Sequence, residues 1–164
     1  MRNAVLALLV CLCLGACSSV PLSLPSKQQD PEEAADSRRP SKPRDARTRA
    51  KLHTELGALY LQANQLATAL EELTIAIDID PSYAKAYSTR GLAGFQAREI
   101  PFADQDFQRA LRLDANDPEI NNNYGWFLCQ IGRGKEAIAF FQKAIRNPLY
   151  ETPDMAYLNA GTCY

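Results

Sequence analysis

Five cysteines and one histidine are the side chains of this 164-residue sequence best suited to covalent or metal chemistry. Cys11, Cys13 and Cys17 crowd the N-terminus, whereas Cys129 and Cys163 stand 34 positions apart near the other end. His53 is the only histidine. Metal sites need several His, Cys or carboxylate ligands at defined spacing, and none is spaced that way here. No nucleophile elbow or phosphate loop is found either. Gly132-Arg133-Gly134 reads as a turn between helices, and Glu71-Glu72 and Asp78/Asp80 as solvated helix faces. The expectation is therefore no catalytic residue, no enzyme activity, no metal and no cofactor. What is left is thiol chemistry: acylation or a disulfide.

The setting of Cys17 decides between these. Arg2 forms a short positive head, and Ala4 to Leu14 is an apolar run. A bilayer span needs about 20 apolar residues, so this run is too short to cross. It has the length of a signal-peptide core. Leu14-Gly15-Ala16-Cys17 ends it and resembles a bacterial lipobox. Small residues before the cut suit a narrow peptidase site, and the thiol at the new N-terminus carries the lipid. The expected order is a signal peptide over 1–16 and an acylated Cys17, the covalent lipid being the only attached group. The alternative is an ordinary secretory signal with Cys17 incidental. Cys11 and Cys13 would leave with the signal. One acyl chain holds a protein only marginally, and several hold it stably. Ser18 follows the cysteine, in place of the Asp associated with inner-membrane retention. By resemblance to bacterial lipoproteins, this implies a lipid-anchored, periplasm-facing location at the outer membrane of a Gram-negative cell.

Residues 18–49 hold five of the ten prolines, seven basic and five acidic residues, and no aromatic. Such a segment buries too little apolar surface to offset its ordering entropy. A flexible tether over 17–49 is expected, roughly 30 Å in root-mean-square span. Arg38-Arg39 and the Lys42–Lys51 cluster read as solvated charge, with contact to an anionic surface as the alternative. Over the whole chain, 18 Lys+Arg stand against 19 Asp+Glu. That balance disfavours a nucleic-acid binder, which must neutralise phosphates. Apolar residues make up 46%, a globular composition.

Beyond the tether the sequence repeats itself. Gly57, Gly91 and Gly125 recur every 34 residues. So do Ala69, Ala103 and Ala137; Leu73, Phe107 and Phe141; and Ala76, Ala110 and Ala144. Four columns in phase match the tetratricopeptide pattern of paired helices. Small residues belong where two helices cross closely, with a large one filling the adjoining space. Apolar residues at 3–4 spacing predict helices over 50–63, 67–79, 83–97, 101–114, 117–131, 135–146 and 153–164. The fold class is all-α, a tetratricopeptide α-solenoid of antiparallel helix pairs. The units are 50–83, 84–117 and 118–151, with helix A of a fourth over 152–164. Solenoid ends need capping, so a truncated chain, or a partner over the last apolar face, is expected.

Asn122-Asn123-Tyr124-Gly125-Trp126-Phe127-Leu128-Cys129 is unusual for a generic repeat. With Asn147-Pro148-Leu149-Tyr150, Thr152-Pro153 and Leu158-Asn159-Ala160-Gly161-x-Cys163, it resembles the type IV pilus biogenesis lipoproteins, the pilotin and pilus-stability family. The resemblance covers the lipobox and every repeat. It implies a protein-binding role in secretin assembly or localisation, or in pilus stability, with a secretin subunit or another pilus assembly protein as partner. Neither nucleic acid nor a small-molecule substrate is implied. The alternative is a structural envelope lipoprotein that scaffolds cell-wall or outer-membrane assembly enzymes.

In such solenoids the helix A columns two, five, nine, twelve and thirteen face the groove. Here they supply Leu92, Phe95, Gln96, Asn122, Trp126 and Gln130 as expected partner-binding residues. Aromatics beside amides suit an apolar or helical segment. Trp126 packing merely between neighbouring A helices is the alternative. Cys129 and Cys163 are the cysteines left besides Cys17 after export, and an oxidising periplasm favours a disulfide between them. Helices in contact lie about 8–10 Å apart, close enough for facing cysteines to bridge. The two-residue insertion before the fourth unit moves Cys163 out of column, so two independent buried thiols is the alternative. His53 shares a column with Tyr87, Asn121 and Tyr157 and is expected to pack or lie at the surface.

Overall fold

The computed structural model describes residues 43–163. The signal segment 1–16, Cys17 and the tether up to residue 42 lie outside the described residues. Seven helices follow: α1 (Pro43–Gln62), α2 (Leu66–Ile79), α3 (Ala84–Gln96), α4 (Ile100–Leu113), α5 (Pro118–Gln130), α6 (Gly134–Ile145) and α7 (Pro153–Thr162). They pack in sequence as the hairpins α1/α2, α3/α4 and α5/α6, with α7 on α6. The first helices of successive hairpins also touch, α1 to α3, α3 to α5 and α5 to α7. This is the stacking of a tetratricopeptide solenoid, all-α throughout the described residues.

The repeated columns are the packing interface. A β-carbon on Gly57 would stand 2.6 Å from Leu73 Cγ, one on Gly91 3.0 Å from Phe107 Cδ2, and one on Gly125 2.8 Å from Phe141 Cε1. The large residue of each unit therefore occupies the space that the glycine leaves. The alanine columns 69/103/137 and 76/110/144 are wholly buried along the same seam. Larger side chains there would hold the helices apart.

Three turns close the hairpins identically, and their shared feature is not a residue type. Asn64, Arg98 and Gly132 all have positive φ, at 59°, 67° and 80°. They too are 34 residues apart. At each, two backbone bonds close a Schellman motif, as in Arg98 N–H to Phe95 O and Glu99 N–H to Gly94 O. Only the third unit uses the glycine that this conformation favours.

The other connections follow their local sequence. Asp117 caps α5 by accepting the Ile120 amide at 3.0 Å, and Pro118 and Pro101 stand in the first turns of α5 and α4, where no N–H is required. Asp80 and Asp114 end α2 and α4. Each folds its carboxylate back onto the backbone two residues on, at Ser82 and Asn116.

Helix boundaries agree with the periodicity to within a residue or two, with one correction. The expected tether runs to residue 49, but α1 begins at Pro43. Composition alone reads 43–49 as solvated. Tertiary contacts hold it helical: Arg47 Nε lies 2.6 Å from Asp80 Oδ2, its Nη2 donates to Ser82 Oγ at 2.9 Å, and its guanidinium sits 5.0 Å from the Tyr83 ring centre. Ala50 is fully buried one turn later.

The core is thickest between the second and third units. Phe107, Phe127, Phe141 and Leu128 are buried there, with Tyr124 among them. The Tyr124 hydroxyl donates to Asp104 Oδ1 at 3.0 Å. Burial, and then that carboxylate, push its phenol up to about 12. Arg90 clamps α3 to α4 through a bidentate pair with the buried Asp106, at 2.7 and 3.0 Å.

Candidate protein-binding face

Helices α1, α3 and α5 present the same columns to one side. Lys51, Thr54 and Ala58 from α1, Ser88 and Thr89 from α3 and Asn123 from α5 line a groove cavity of about 220 Å³. Hydroxyl, amide and methyl groups share its walls with the charged side chains of Lys51, Glu55, Lys85 and Glu119. Asn123 Nδ2 reaches Ser88 Oγ at 3.3 Å, tying α5 to α3 across the groove floor. At the rim the Lys85 ammonium lies on Glu119 and 3.9 Å from Asp117 Oδ2. Burial works against its charge, but Glu119 and Asp117 more than compensate and hold the Lys85 pKa above the ordinary lysine value.

The expected partner-binding residues divide into three groups. Leu92, Phe95 and Trp126 are half-buried at the α3/α5 junction and pack against the core. Phe95 meets the Trp126 ring edge-on at 5.2 Å and the Phe127 ring at 5.7 Å. Ala58, which lines the cavity, is the repeat equivalent of Leu92 and Trp126, so this aromatic step continues the groove toward the C-terminal ends of its helices. Gln96 and Gln130 are exposed, and Gln96 donates to Asn64 Oδ1 at 2.9 Å. Asn122 is placed differently from the expectation. It is buried, and its Oδ1 accepts from Asn159 Nδ2 at 3.0 Å, so α7 takes the amide that was expected to face a partner. Its neighbour Asn123 lines the cavity instead. Thr54 and Ser88 share the groove column of Asn122, and Ala58 that of Leu92 and Trp126, although the expected partner-binding set lies in the second and third units. Lys51, Thr89 and Asn123 were not assigned to the groove, because polar residues on a helix read as ordinary solvated surface.

Cys129, in the last turn of α5, is disulfide-bonded to Cys163, which caps α7, with Cα atoms 5.5 Å apart. Gly134 makes room for the bridge: a β-carbon there would lie 3.1 Å from Cys163 O and 3.3 Å from its Sγ. The bridge and the Asn122–Asn159 bond both fix α7 to α5. His53 packs in the first hairpin, its Nδ1 2.7 Å from Glu72 Oε2.

No protein-family model matches the chain. Over 109 residues it is 31% identical to the type IV pilus assembly protein PilF of Pseudomonas aeruginosa, an alignment covering 66% of this chain and 43% of that protein. The chain is homologous to PilF. Two solved structures carry the same likeness into three dimensions. The crystal structure of PilW, described as a widely conserved type IV pilus biogenesis factor, superposes with a TM-score of 0.65 at 34% identity, covering 70% of this chain and 52% of that one. The structure of Pseudomonas aeruginosa PilF gives a TM-score of 0.68 at 29% identity, with 72% and 53% covered. The chain thus spans about half the length of the relatives it matches. Its similarity to them lies in the tetratricopeptide scaffold, the kind of fold that binds other proteins.

Among the described residues no group of His, Cys, Asp and Glu is placed to hold a metal ion. No described helix is long and apolar enough to cross a membrane.

Proposed function

We propose that this chain is an outer-membrane lipoprotein of type IV pilus biogenesis, anchored through acylated Cys17, that holds a secretin subunit or another pilus assembly protein in the groove of α1, α3 and α5. One observation carries the reading: a scaffold homologous to PilF presents a groove cavity flanked by the half-buried Phe95–Trp126 pair. A partner's apolar side chain could rest on that pair while the hydroxyls and Asn123 meet its polar edge. Aromatic residues in such partly desolvated positions dominate many protein interfaces. The lipobox supports the anchor, and the oxidised Cys129–Cys163 pair suits an extracytoplasmic protein. Such an adaptor works by binding alone, without catalysis.

Deletion of the gene, scored for twitching motility and for the amount of assembled secretin in the outer membrane, tests the role. Loss of both, restored by the wild-type chain and not by Ala58→Arg, supports groove-mediated assembly. Normal motility and secretin content in the deletion strain would refute it. Cys17→Ser, or globomycin treatment, should release the protein from the membrane. Continued outer-membrane fractionation of the Ser variant would refute the lipid anchor.

A further inference from the structure

A second cavity, about 540 Å³, opens at the edge of the solenoid where α5 begins. Asp114, Asp117, Glu119 and Glu151 line it against one cation, Lys85, and Leu149 stands at its side 83% exposed. Lys85 is already committed to Glu119 and Asp117. That leaves Asp114 and Glu151 without an ion-pair partner among the described residues. Asp114 uses only Oδ1 internally, accepting the Asn116 and Asp117 amides at 3.1 Å each.

The chain itself shows what such a loop holds. Asp80 and Ser82 lie 34 residues before Asp114 and Asn116, at the same turn of the preceding unit. Asp80 Oδ1 accepts the Ser82 amide, as Asp114 Oδ1 accepts that of Asn116. Its Oδ2 takes the Arg47 guanidinium at 2.6 Å. Arg47 reaches that turn because α1 begins well upstream of the repeat boundary. In the next unit the position equivalent to Arg47 is Pro81, which precedes α3 and carries no charge. The same turn thus recurs with Pro81 in place of its arginine, with more carboxylates and with a cavity beside Asp114 and Asn116.

We infer that this edge cavity is a docking site for an arginine side chain of a protein partner, with an apolar neighbour of that arginine resting on Leu149. A guanidinium suits the site better than an ammonium. Its planar fork can bond two acceptors of the cavity at once, as Arg47 bonds Asp80 and Ser82 together. The cavity borders the groove at the Lys85–Glu119 pair, so a segment lying in the groove could place its arginine over the edge. The assignment does not depend on the partner being a pilus protein.

The test is an NMR titration of the 15N-labelled full chain in detergent with two probes, acetyl-Leu-Arg-Leu-amide and its counterpart with citrulline for arginine. Citrulline keeps the shape and removes the charge. The arginine peptide should shift the amides of Asn116, Asp117, Leu149 and Glu151. The citrulline peptide should bind at least tenfold more weakly, and so should the arginine peptide to Asp114→Asn or Glu151→Gln chains. Glu151 is exposed, so its variant keeps the fold even if Asp114→Asn disturbs the turn. Equal affinity for the two peptides would overturn the assignment, as would shifts confined to Phe95 and Trp126. Binding seen only in an Arg38→Ala, Arg39→Ala chain would also overturn it, by assigning the cavity to the chain's own N-terminal segment.

Discussion

The Phe95 ring meets the Trp126 indole edge-on at 5.2 Å across the junction of α3 and α5. One contact thus joins two units and forms the aromatic step beside the groove cavity. Edge-to-face pairs add about 0.5–1.5 kcal/mol beyond their buried area. Trp126→Ala should therefore destabilise the fold by about 2 kcal/mol, less than a fully buried tryptophan would. It should also weaken binding of the partner proposed for the groove by about 2 kcal/mol or more. Calorimetry on the variant, below its own unfolding temperature, separates the two effects. Unchanged affinity in the folded variant would remove Trp126 from the binding face.

Two glycines on first helices of successive units should respond oppositely to the same change. A β-carbon on Gly125 would meet Phe141 at 2.8 Å and Ala137 O at 3.2 Å, whereas one on Gly161 meets nothing within 4 Å. Gly125→Ala should cost about 1–3 kcal/mol by overpacking. Gly161→Ala should stabilise α7 by up to about 1 kcal/mol through helix propensity. Urea denaturation of both variants checks the pair. Equal effects would mean that the glycine column does not set the helix approach.

The Cys129–Cys163 bridge closes a 34-residue loop around α6. In the chain-entropy model such a loop contributes roughly 3–4 kcal/mol. Reduction should loosen α7 first, since Ala156 is its only buried residue while Met155, Tyr157 and Leu158 are exposed. Hydrogen exchange with and without reductant would show lost protection in α7, with α1 to α4 unchanged. Mass spectrometry of the protein isolated from cells and alkylated without reduction checks the bond in the cell. Free thiols at both positions would exclude it there.

Acid should release the N-terminal end of α1. Burial of Asp80 opposes its ionisation, but the Ser82 hydroxyl and amide and the Arg47 guanidinium outweigh it and hold the carboxyl below its usual 3.8. A carboxyl with a lowered folded pKa stabilises the fold above its unfolded pKa. That contribution is lost as the pH falls through the folded value. The Arg47 side chain is 48% exposed, so solvent screening limits the pair to about 0.5–1 kcal/mol. Melting curves of wild type and Asp80→Asn should differ at neutral pH and converge as the pH falls past 3.8 and through the lowered folded value. A gap that stays constant with pH would show that the carboxylate charge is not what Arg47 holds.

The sequence by itself determined the repeat. Glycine, alanine and one large residue recur at fixed spacing because two helices that cross closely tolerate only those sizes at the crossing, and that constraint is written directly into residue type. Helix boundaries inside the repeats follow from the same periodicity and from local signals such as Asp117-Pro118. Features that depend on residues far apart in the chain were decided only by the tertiary structure. The segment 43–49 has the composition of a tether, yet it is helical because Arg47 finds Asp80 and Tyr83 beyond the first hairpin. Asn122 has the right column for the groove, yet α7 arrives displaced by two residues and Asn159 takes its amide. Asn64, Arg98 and Gly132 share one backbone conformation with three different side chains, so no residue pattern announces it. Periodicity reports the contacts that every unit repeats. The contacts made once, at the ends of the solenoid and across its edge, depend on which side chains the folded backbone brings together.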